Sequence, residues 1–124
     1  MQLFEKIDEE KYQIAKNLYE NGVLHGAKNL FLELILSNPF IWQLWFSIGA
    51  IYQREKDYIE AIKSYNIVLV LDKKNANAYF HIAESFLSLN ENKKAAINLE
   101  LADKYCQDKN LEEKIQILKK QNNL

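Results

Sequence analysis

The sequence predicts an all-α fold in which three helix-turn-helix repeats stack into one array and a C-terminal capping helix closes it. Three observations carry this. Turn formers are scarce, with one Pro and three Gly in 124 residues, which suits helices joined by short turns. The one Asn-Gly pair, Asn21-Gly22, lacks the alternating flanks of a β-hairpin. The chain also matches itself when shifted by 34 residues: Ile14, Ile48 and Ile82 coincide, as do Ala15, Gly49 and Ala83, and Ala27, Ala61 and Ala95. Leu18, Tyr52 and Phe86 follow, then Phe31, Tyr65 and Leu99, then Leu34, Val68 and Ala102. Such a period marks units that bury their apolar faces on one another.

The boundaries that fit are repeats 8–41, 42–75 and 76–109 and a capping helix 110–121, all in one domain spanning 1–124. In the first unit, Asn38-Pro39 ends the second helix. In the middle unit, helix A spans about Ile41 to Arg54, and Asp57 offers an N-cap. Glu60, three residues on, completes a capping-box pattern for helix B, which ends near Leu71 ahead of the polar stretch Asp72-Lys73-Lys74-Asn75. Asn75 then caps helix A of the third unit. In the capping helix, Leu111, Ile115 and Leu118 share one face, which can cover the third repeat while charges meet water. The run IGAIYQREKDYIEAIKSY, Ile48 to Tyr65, places Gly49 on helix A and Ala61 on helix B. These small residues mark a close crossing, with Ile48, Tyr52 and Tyr65 filling the space around it.

Composition excludes several function classes. Hydrophobic residues make up 48% and charged residues 27%, as in an ordinary globular protein. Sixteen basic side chains face seventeen acidic ones for a net charge of −1, without the positive field of a nucleic-acid binder. The pairs Lys73-Lys74, Lys93-Lys94 and Lys119-Lys120 read as solubilising charges. No apolar run approaches the roughly 18 residues of a membrane span, so no membrane insertion is expected. The start, MQLFEKIDEE, has neither the basic nor the apolar region of a secretory signal. Cys106 is alone, so no intrachain disulfide forms, and a reducing cytoplasm is the expected compartment.

No catalytic site and no cofactor are expected. His25 and His81 lie in different repeats with no further metal ligands at fitting spacing. Cys106 has no His partner at a recognisable spacing, and the three glycines form no phosphate loop. His81 reads as a polar groove residue rather than a ligand.

The middle unit carries W-x-x-I-G-x-x-Y as Trp45, Ile48, Gly49 and Tyr52, then Ala61 and Tyr65. This resembles the tetratricopeptide repeat (TPR) signature. The first unit keeps Ala27, Phe31 and Pro39; the third keeps Tyr79, Ile82, Ala83, Phe86 and Ala95. The resemblance implies a right-handed helical solenoid that binds a protein or peptide. A finer likeness lies in Phe80 to Lys109, with an F-H-x-A-E run at Phe80, His81, Ala83 and Glu84, and in Asp57 to Tyr65. These stretches resemble the class II chaperones of type III secretion, the SycD/LcrH type. The resemblance implies a cytoplasmic chaperone that binds a secreted translocator before export. Those chaperones carry an extra helical arm before repeat one that often serves dimerisation. Seven residues precede the first unit here, so a homodimer stays open, as do a needle-subunit co-chaperone and a scaffold subunit of a larger complex.

The resemblance also implies a concave face lined by the A helices, and hence a partner-binding groove. Its expected residues are Tyr12, Lys16 and Tyr19 in the first unit and Phe46, Ala50 and Gln53 in the second. The third unit supplies Asn77, Phe80, His81, Glu84 and Leu87. Tyr12, Phe46 and Phe80 share one position in each repeat, so a continuous aromatic stripe is expected, with apolar anchors of the partner against it. Leu3 and Phe4 of the same chain are the competing occupants. A carboxylate clamp for acidic C-terminal tails does not fit, since Tyr12, Lys16, Ser47, Asn77 and His81 hold the corresponding places and only Lys16 is clearly cationic.

Overall fold

The computed structural model describes residues 7–124. Leu3 and Phe4, the competing groove occupants, lie outside the described residues. Seven helices and no strand occur among the described residues. They pair as α1 (Glu9–Glu20) with α2 (Leu24–Ser37), α3 (Trp42–Arg54) with α4 (Tyr58–Leu71), and α5 (Ala76–Ser88) with α6 (Asn92–Tyr105). Then comes α7 (Lys109–Gln121). The second helix of each hairpin starts at 24, 58 and 92, a spacing of 34 residues.

The turn inside each hairpin has one geometry. Gly22, Lys56 and Asn90 take φ of 78, 63 and 61°, the left-handed region. In each case the next N–H reaches back five residues to a carbonyl: Val23 to Leu18 at 2.8 Å, Asp57 to Tyr52 at 2.9 Å, Glu91 to Phe86 at 2.9 Å. This is the Schellman closure, which occupies carbonyls that a helix end leaves unpaired. Side-chain caps start four helices: Asp8 accepts from Lys11 N–H, Asp57 from Glu60 N–H, Asn75 from Ala78 N–H and Asp108 from Asn110 N–H. The reciprocal half of the expected capping box is missing. The Asp57 N–H is committed to the Schellman bond, and the Glu60 carboxylate pairs with Lys63 at 3.1 Å.

The repeat positions become the core. Ala15, Ala83, Ala27, Ala61 and Ala95 have no exposed surface, and Phe31, Tyr65 and Leu99 are buried at the next aligned position. Ile48 and Ile82 are buried against the second helix of the hairpin before them. Ile14, their counterpart, has no preceding hairpin among the described residues and is 46% exposed. The tight contact at Gly49 is made by Tyr65, one of the large residues expected around the crossing. A Cβ on Gly49 would lie 2.8 Å from Cε1 of Tyr65, so the glycine is required by that ring. On α7, Leu111 and Ile115 are buried with Phe80, Ala83, Leu99 and Ala102, and Leu118 packs beside them. Lys119 fastens the same helix to α6 through Glu100 at 2.9 Å and Asp103 at 3.5 Å.

Candidate partner-binding groove

The first helices of the hairpins, α1, α3 and α5, line one continuous groove. Two side-chain bonds tie them together: Arg54 Nη1 donates to the Tyr19 carbonyl at 2.8 Å, and Gln53 Nε2 donates to Glu84 Oε1 at 2.9 Å. Three adjoining concavities share Phe46. One, of about 290 Å³, is an apolar bowl between Tyr12, Tyr19, Phe31, Phe46 and Ala50, with Lys16 at its rim. The second, of about 330 Å³, leads over Phe46 to Gln53, Arg54, Tyr65, His81 and Glu84. The third, of about 400 Å³, runs to Trp42, Gln43, Ser47, Asn75 and Asn77.

Aromatic contacts hold the bowl in shape. Phe46 meets the rings of Trp42, Tyr65 and His81 edge-on, with centroids 6.1, 5.2 and 5.5 Å apart. Tyr12 packs edge-on against buried Phe31. The Lys16 ammonium lies 5.7 Å from the Tyr12 ring centre, and the Arg54 guanidinium 4.8 Å from that of Tyr19. Such cation–ring contacts brace the aromatic walls.

Beside the bowl is a directed polar chain. The Tyr65 hydroxyl donates to Gln53 Oε1 at 2.9 Å, which fixes which way the amide faces. The same amide donates to Glu84, and His81 Nδ1 lies 2.6 Å from the same carboxylate oxygen. An ionised carboxylate only accepts, so His81 carries its hydrogen on Nδ1. Burial alone pushes the Glu84 carboxyl up. The hydrogen bond and attraction from His81, with the bond from Gln53, outweigh it, and the group sits below its ordinary range. Burial first, then the charge of Glu84, raises the Tyr65 phenol, so it remains a donor.

Of the expected groove residues, Tyr12, Lys16, Tyr19, Phe46, Ala50, Gln53, Asn77, His81 and Glu84 border these concavities. Phe80 does not. It is 6% exposed and belongs to the core beneath α7, because Leu111 and Ile115 press on the region. The expected aromatic stripe therefore stops at Phe46 and gives way to His81, whose ring stacks on Tyr65 at 5.6 Å. Leu87 lines a separate concavity with Glu84, Ser88, Leu118 and Asn122. Tyr65, Trp42 and Arg54 escaped the sequence analysis as groove residues. Tyr65 had a signal: a buried tyrosine needs a partner for its hydroxyl, and Gln53 stands twelve residues earlier.

No family model matches the chain. The low calcium response locus protein H of Yersinia pestis is 31% identical over 101 residues, which are 82% of this chain and 60% of that protein. The chain thus spans about 60% of the length of the curated relatives it matches. The type III secretion translocator chaperone SycD of Yersinia enterocolitica superposes with a TM-score of 0.84 at 28% identity, over 89% of this chain and 85% of that one. The chain resembles the SycD/LcrH-type translocator chaperones. SycD has also been solved in complex with a peptide of the translocator YopD, and that structure matches with a TM-score of 0.78 at 28% identity, over 90% of this chain and 93% of the other. Among the described residues of this SycD-like chain, no helix is long and apolar enough to cross a membrane. Among its described residues no group of three His, Cys, Asp or Glu could hold a metal ion.

Proposed function

We propose that this chain is a non-enzymatic chaperone of the cytoplasm that holds an apolar segment of a secreted translocator protein and keeps it soluble for type III secretion. The three repeats and the capping helix act as one domain whose inner face is the binding site. The observation that carries this is the Phe46-centred apolar bowl on a fold shared with a chaperone solved with a translocator peptide. Burial of apolar surface, worth about 25 cal/mol per Å² before ordering costs, supplies the driving force, so neither nucleotide nor cofactor is needed.

The test is co-expression with a candidate translocator from the same source, comparing wild type with Phe46→Glu and Tyr19→Glu. Circular dichroism first establishes that each variant is folded. Phe80→Glu is unsuitable, since it would place a charge in the core. Wild type should keep the translocator soluble and co-purify with it, and both variants should lose it. Equal capture by all three proteins would move the function away from the groove and toward a scaffold using another face.

A further inference from the structure

Glu84 is a charged group set into the floor of the groove without a cationic partner of fixed charge. One carboxylate oxygen, Oε1, receives both Gln53 Nε2 and His81 Nδ1. The other, Oε2, has no hydrogen-bond partner among the described residues. Lys114 on α7 is near enough to favour the charge but forms no ion pair with it. The side chain remains 33% exposed. It also stands at a junction, bordering both the concavity that leads from the apolar bowl and the one formed with Leu87 and Leu118. A segment running from the bowl toward α7 must therefore pass over this carboxylate.

A half-used, ionised carboxylate in a partly desolvated groove is the complement of a cation. We propose that Glu84 reads a Lys or Arg side chain in the bound segment, next to the apolar residue that fills the bowl. The ligand class is thus narrowed from any apolar segment to an apolar segment with a basic residue at one fixed spacing. Charge-assisted bonds to a carboxylate are among the stronger ones available, and a mismatched neutral or acidic residue would leave Glu84 covered and unpaired. The Gln53–His81 pair holds the carboxylate in place, so its second oxygen is oriented before the ligand arrives.

The inference rests on the groove being the binding site, and the experiment separates the two claims. A random nonapeptide phage library is panned against wild type, Phe46→Glu and Glu84→Gln, each first shown folded by circular dichroism. Glu84→Gln retains an Oε1 that can accept from Gln53 and His81. Wild type should enrich peptides with an apolar anchor and a Lys or Arg at constant spacing. Glu84→Gln should keep the apolar enrichment and lose the basic one, while Phe46→Glu should lose the apolar enrichment. In the best wild-type peptide, Lys replaced by norleucine should weaken binding by about tenfold in fluorescence anisotropy, and that loss should vanish in Glu84→Gln. Basic enrichment absent from wild type, or retained in Glu84→Gln, overturns the role of Glu84 alone. Norleucine binding as well as Lys overturns it too and points to a backbone donor. An apolar enrichment that survives in Phe46→Glu overturns the groove itself.

Discussion

A single hydrogen atom decides position 49. Gly49 lies so close to Tyr65 that a Cβ would stand 2.8 to 3.0 Å from three ring carbons. Gly49→Ala should cost about 1–3 kcal/mol in urea unfolding, and the cost should shrink in a Tyr65→Leu background, where the obstructing ring is gone. An equal cost in both backgrounds would place the strain elsewhere. The sequence analysis found this small residue from its repeat position and placed Tyr65 among three large residues around the crossing, without singling out the one that touches it. Which large side chain turns toward a glycine depends on a rotamer, and a repeat pattern carries no rotamers. At Glu84 the consequence is a pH dependence. The folded carboxyl sits below its ordinary range, so its contribution to stability is complete above the range in which an unfolded glutamate takes up a proton. It is lost as pH falls through that range toward the folded value. Acid unfolding of Glu84→Gln should therefore lack this component, which parallel urea midpoints at neutral and acidic pH would detect.

Among the elements, α7 is the most informative. Its apolar face was legible, since Leu111, Ile115 and Leu118 recur at helical spacing and all three pack as expected. Its effect on its neighbour was not. Position 80 aligns with Tyr12 and Phe46, which border the groove, yet Phe80 is buried because Leu111 and Ile115 of α7 pack on it. Units of a repeat differ where their neighbours differ, and Ile14 is likewise exposed where Ile48 and Ile82 are buried. Ile115→Ala should cost about 2–5 kcal/mol, measured by urea unfolding. Lys119→Met should leave the fold intact but speed hydrogen exchange across 109–121, because it removes the clip to Glu100 and Asp103. Unchanged exchange there would show that the apolar face alone holds the helix.

At the scale of the whole molecule, the groove belongs to no single repeat. Its bowl takes Tyr12 and Tyr19 from α1 and Phe46 from α3, and its polar chain runs from Tyr65 on α4 to His81 and Glu84 on α5. The recurring A-helix positions found most of this surface, while the Tyr65–Gln53 link, which crosses from one helix to another, left no periodic trace. The hairpin turns do recur, and they expose one local misfit: Lys56 holds the left-handed conformation that Gly22 adopts at the matching place. Lys56→Gly should raise stability by about 0.5–1 kcal/mol, read from the urea midpoint. The shared turn has a wider meaning. The links on either side of residues 42–75 match as well, with Asn38 and Asp72 at φ of −143 and −142° and Ile41 and Asn75 both extended, so this stretch should serve as a cassette that can be spliced in again. A second copy inserted after Asn75 would add a hairpin and an interface while keeping both ends, and should melt at a higher temperature than the parent. Its binding surface would be longer by one unit, so chain length becomes a ruler for how much of a partner this architecture can cover.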